Sequence, residues 1–82
     1  MDLHHAQGRD LKRRLVILRD HAGRHHVARA LWRIPEAGSE LHGAVPARGF
    51  NLLLEPTSGQ VVRTIFEHVD CDLQTAMSQM QV

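Results

Sequence analysis

The stretch Asn51 to Val69, NLLLEPTSGQVVRTIFEHV, holds the densest apolar run in the chain, and its reading decides the fold. As a hairpin, 50–55 is one strand, Pro56-Thr57-Ser58-Gly59 is the turn and 60–68 is the return strand. Proline suits an early turn position, glycine supplies the left-handed residue, and Val, Ile, Phe and Thr favour the pleated return. A helix competes for the same residues. Thr57 and Gln60 have capping-box spacing, and Val61, Ile65, Val69, Leu73, Met77 and Met80 recur about every fourth residue. Most of both signals is satisfied if the strand ends near His68 and a helix begins after Asp70 or Asp72. Leu73, Ala76, Met77 and Met80 then line its buried side.

The N-terminal half shows a similar choice. Leu15-Val16-Ile17-Leu18 is a compact apolar run, followed by the turn signal Asp20-His21-Ala22-Gly23. Beyond it His26, Ala28, Ala30, Trp32 and Ile34 fall on one face of an extended chain, with His25, Val27, Arg29, Leu31 and Arg33 on the other. The competing reading is a helical hairpin, with Asp10 capping a helix over 11–22 that ends at Gly23. Residues 35–49, PEAGSELHGAVPARG, read as a long connection with one helical turn around 39–42 that Ser39 caps. Residues 1–10 lack periodicity and read as a flexible N-terminal tail to a single small domain over 11–82. The expected fold class is α+β: a small antiparallel sheet of two β-hairpins, about 13–34 and 50–68, with a C-terminal helix over about 70–80 packed on one face.

At 82 residues and 43% apolar content, the chain is one lean domain rather than a disordered segment. A core this small often leaves apolar surface over, which favours a homodimer. No apolar run approaches the roughly 20 residues of a membrane span, the N-terminus lacks the apolar centre of a signal peptide, and Cys71 is alone. A cytoplasmic protein without membrane contact is expected.

Net charge is +1, but residues 1–33 carry +5 and residues 34–82 carry −4, and five of the seven histidines lie in the basic half. Arg13, Arg19, Arg29 and Arg33 share one face of the first expected hairpin, with Arg14 at its end. A two-stranded ribbon bearing such forks suits phosphate or guanine contacts, which makes nucleic-acid binding the alternative function. The leading expectation is a small binding or regulatory protein acting through protein–protein contacts. On this reading Val27 and Leu31 lie exposed between arginines as an interface.

Catalysis finds little support. Cys71 near His68 lacks the surroundings of an activated thiol and reads as a small buried hydrophobe. Glu36, Glu40 and Glu55 form no carboxylate pair, and the glycines follow no phosphate-loop pattern. His21, His25 and His26 are close in sequence, yet zinc normally takes four ligands in paired short spacings. No enzyme activity, metal or cofactor is expected.

Overall fold

The computed structural model describes residues 2–43 and 48–80, with the backbone alone at positions 2 and 80. Among these residues six strands and one helix form: β1 (Asp2–Asp10), β2 (Leu15–Asp20), β3 (His25–Ala30), β4 (Glu40–Gly43), β5 (Gly49–Glu55), β6 (Gln60–Cys71) and α1 (Leu73–Met80). The strands close into an antiparallel barrel in the order β1-β2-β3-β6-β5-β4, with β4 returning to β1.

This corrects the expected fold class. The two hairpins exist as β2–β3 and β5–β6, but they are walls of a barrel and not a two-hairpin sheet backed by a helix. Two strands lie where none was expected. One is β1, within the segment read as a tail, which pairs with β2 along one edge and β4 along the other. The other is β4, where a helical turn was expected. Part of the 35–49 connection lies outside the described residues. Closure leaves β1–β4 no open edges, and six strands enclose a lumen narrow enough for side chains to fill.

Strand alternation selects what fills it. Ala6 from β1, Val16 and Leu18 from β2, Ala28 from β3, Leu41 from β4, Leu53 from β5, and Val62 and Phe66 from β6 form the inner cluster. His4, Asp20, His26 and Thr64 are buried beside them. The Thr64 hydroxyl donates to the Asn51 carbonyl at 2.8 Å, so that buried oxygen is satisfied.

Gly43 faces this interior opposite Leu53. A Cβ there would stand 2.3 Å from Leu53 Cδ2 and 3.3 Å from the Leu52 carbonyl oxygen. Leu53 is buried and must repack to make room. Gly43→Ala is therefore expected to cost about 1–3 kcal/mol. Chemical denaturation checks this, and an unchanged midpoint would show that β4 is not held against β5 as described.

The second core lies outside the barrel. Leu15, Ile17 and Val27 point outward from β2 and β3, where α1 covers them with Ala76, and Cys71 packs alongside. The helix starts where Asp72 Oδ1 accepts from the Thr75 amide at 2.7 Å, as an N-cap. That amide bond holds the Asp72 carboxyl below its ordinary value. Its burial is narrower than the sequence implied. Ala76 is fully buried, whereas Leu73 and Met77 are exposed. The expected burial of Met80 lies outside the described side chains.

Candidate interaction surface

The outer face of the β5–β6 hairpin presents an apolar field. On β5, Leu53 turns inward, so Phe50, Leu52 and Leu54 turn outward; on β6, Val62, Thr64 and Phe66 turn inward, so Val61, Arg63 and Ile65 turn outward. The register aligns them in three rows: Phe50 beside Ile65, Leu52 beside Arg63, and Leu54 beside Val61. Phe50 is 60% exposed, Leu52 51% and Val61 57%, with Leu54 and Ile65 also exposed. These five side chains expose on the order of 500 Å², within the range of the largest apolar patch on a typical monomer, which is often functional.

The opposite wall shows what such a face ordinarily requires. There Leu15, Ile17 and Val27 are equally outward-facing and apolar, and α1 hides them. No described element covers β5–β6 in the same way.

The rim is polar. His42 on β4 lies beside Leu54, and Arg29 on β3 lies beside Ile65. Arg29 pairs with Glu67 at 2.8 Å. Leu31 donates its amide to the Arg63 carbonyl at 2.9 Å, which extends the field toward β3.

Of the expected interface residues, Leu31 is 40% exposed at this edge, but Val27 is fully buried beneath α1. It faces outward between the lumen-facing His26 and Ala28, and the docking of a helix from the far end of the chain removes it from solvent. The expected basic face is also redistributed. Arg13 lies in the β1–β2 turn and donates to the Gln79 carbonyl at 3.3 Å. Arg14, at φ 62°, donates to the Ala30 carbonyl at 3.0 Å and to the Trp32 carbonyl, tying down the end of β3. Arg33 reaches Glu55 at 2.7 Å. Glu55 is held below its ordinary value by the Ser58 hydroxyl first and by Arg33 next. Arg19 is exposed on β2 beside His25, at the other end of the hairpin from Arg14. Four of the five arginines thus bind the protein's own carbonyls or carboxylates.

A buried polar cluster occupies the barrel end where β2 and β6 finish. Asp20 Oδ1 accepts from the amides of Ala22 at 3.0 Å and Arg24 at 2.9 Å. Its Oδ2 meets Arg24 Nε and His26 Nε2, both at 2.9 Å. His26 Nδ1 accepts from the Asp70 amide at 2.9 Å. A backbone amide only donates, so Nδ1 is unprotonated and Nε2 carries the hydrogen given to Asp20. Burial pushes the Asp20 carboxyl up, but the hydrogen bond from His26, the Arg24 amide and the Arg24 charge outweigh it and hold it at about 2.

This cluster fastens the end of the barrel. It joins the β2–β3 turn to Asp70, itself at φ 56°, just before the helix. Cys71 next to it donates to the His25 carbonyl at 3.4 Å, and burial pushes its thiol up, opposite to what a nucleophile needs. Among the described residues no group of three or more His, Cys, Asp or Glu is arranged to hold a metal ion, and no helix is long and apolar enough to cross a membrane. No protein-family model, curated protein or solved structure matches this chain.

Proposed function

We propose that the protein is a small non-enzymatic binding module that acts through protein–protein contacts, with the outer face of β5–β6 as its docking surface. The single observation behind this reading is the in-register field of Phe50, Leu52, Leu54, Val61 and Ile65, exposed while the equivalent field on β2–β3 is covered. Water around such a field is released when a complementary surface covers it, and Arg63 at its middle supplies orientation.

A photoactivatable cross-linker at position 52, in the cell of origin, tests the reading against the same group at position 19 on the opposite wall. Capture of a polypeptide at 52 and not at 19 is expected. Equal yields at both positions, or none, would sink the proposal.

One observation favours a second reading, nucleic-acid binding. Trp32 is 81% exposed and Phe50 is exposed on the same side of the barrel as Arg63, and exposed aromatics beside arginine suit base stacking. Single-stranded oligonucleotide affinity should then fall by decades as salt rises. Weak binding that ignores salt removes this reading.

A further inference from the structure

We infer that the occupant of the β5–β6 face is a second copy of this chain, packed sheet on sheet about a two-fold axis that runs along the seam between the two strands. The inference rests on the docking face proposed above and names its partner. Three features carry it: the row pattern, the placement of the one charge, and the area.

A two-fold axis along the seam lays β5 of one copy over β6 of the other at an unchanged level. Each row then meets itself reversed. Phe50 lies against the partner's Ile65, Leu54 against the partner's Val61, and Leu52 against the partner's Arg63, following the register within one chain. All five apolar residues are covered at once, with the strands of the two sheets aligned as in a sandwich. Such an isologous contact uses one patch twice and closes on itself.

The charge selects this axis over the other one that the face allows. An axis across the strands through the middle row gives similar apolar cover, but it sets the Arg63 side chains of the two copies against each other. Burying two like charges face to face is strongly unfavourable. Along the seam, Arg63 lies over a leucine, where its aliphatic stem packs and its guanidinium reaches the rim.

The area fits a weak closed dimer. About 500 Å² of apolar side chain, extended by Leu31 at the β3 edge and by the Arg63 stem, approaches the roughly 800 Å² that each partner gives to a standard-size interface.

Sedimentation of the purified chain at about 100 µM, a concentration suited to an interface at the small end of the range, is expected to give a dimer mass. Leu52→Lys and, independently, Val61→Lys should each raise the dissociation constant by about 100-fold or more, as central interface residues do. Arg19→Glu on the opposite wall should leave it unchanged. Circular dichroism confirms that each variant is folded, and agreement between the two lysine variants guards against one that is not.

Cross-linking checks the axis. In a Cys71→Ser background, with one chain of each mixture isotope-labelled so that the mixed product is read apart from either homodimer, a short bis-maleimide should join a Leu54→Cys chain to a Val61→Cys chain, and not a Leu54→Cys chain to an Ile65→Cys chain. A monomeric wild-type chain, a dimer indifferent to both lysine variants, or preferential joining of positions 54 and 65 would each overturn the inference. A monomer that still captures another polypeptide at position 52 would overturn it while leaving the docking face intact.

Discussion

Replacing Asp20 by alanine is expected to cost about 3 kcal/mol or more, because several donors lose a charged acceptor and one of them, the His26 Nε2–H, is fully buried. The carboxylate is 2% exposed and accepts from two amides, Arg24 Nε and His26 Nε2. Without it the buried His26 Nε2–H loses its acceptor, and the β2–β3 turn loses the bonds that shape it. A domain of this size has a total stability of roughly 4–12 kcal/mol, so most of the margin is at stake. Asp20→Asn keeps shape and some acceptor capacity, and should cost less.

Acid titration gives the same residue an independent signature. The folded carboxyl sits at about 2 against an ordinary 3.8, so its charged form is favoured in the native state. The resulting stabilisation, about 2 kcal/mol, is complete above the ordinary value and is lost as pH falls through the native one. The wild-type protein should therefore lose more stability than the Asp20→Ala protein between about pH 4 and pH 2, because Glu55 and Asp72 remain in both and only the Asp20 contribution differs. Parallel curves for the two proteins over that interval would show that Asp20 is not held as described.

Phe66→Ala should cost about 3–5 kcal/mol as well, through a cavity rather than a lost charge. Phe66 is 2% exposed and, with Trp32 and Phe50 both on the surface, it is the aromatic side chain that fills the barrel. Its ring centroid lies 6.1 Å from that of His4 and 6.0 Å from that of His26, beside the register shift between β3 and β6. Phe66→Leu should cost much less, below about 1.5 kcal/mol if the core repacks. Urea denaturation of the pair separates the effects. Equal losses would mean that ring shape, and not volume, supports the histidines.

Local signals were legible where chain chemistry acts over a few residues. The Asp20–Gly23 and Pro56–Gly59 turns are where their residue types place them, with Gly23 at φ 85° and Gly59 at φ 72°. Asp72 caps α1 as an acidic residue before an apolar pattern should. Most of the exposed apolar face lies in NLLLE and QVVRTI, yet nothing in the strand pattern marks it as a surface. Apolar residues on both faces of a strand look the same whether the outer ones are covered or open.

Strands β1 and β4 carry a weak local signal for a different reason. In β1 the inward positions hold His4 and Ala6, and in β4 they hold Leu41 and Gly43, so neither segment shows the apolar alternation that marks a half-buried strand. His4 faces inward, where its ring lies 5.9 Å from that of His26 and 6.1 Å from that of Phe66, neighbours that distant segments supply. Val27 shows the converse: it sits between His26 and Ala28, which face the lumen, and became core when α1 docked over it.

By itself, then, the chain determined its turns, its two central hairpins and its helix cap, because each depends on dihedral preference and hydrogen bonds between near neighbours. Tertiary structure decided that the sheet closes, that polar residues share its lumen and that one of two apolar walls stays open. Those outcomes depend on which distant segments meet, as when β1 reaches β4 and α1 reaches β2, and no local pattern carries that information.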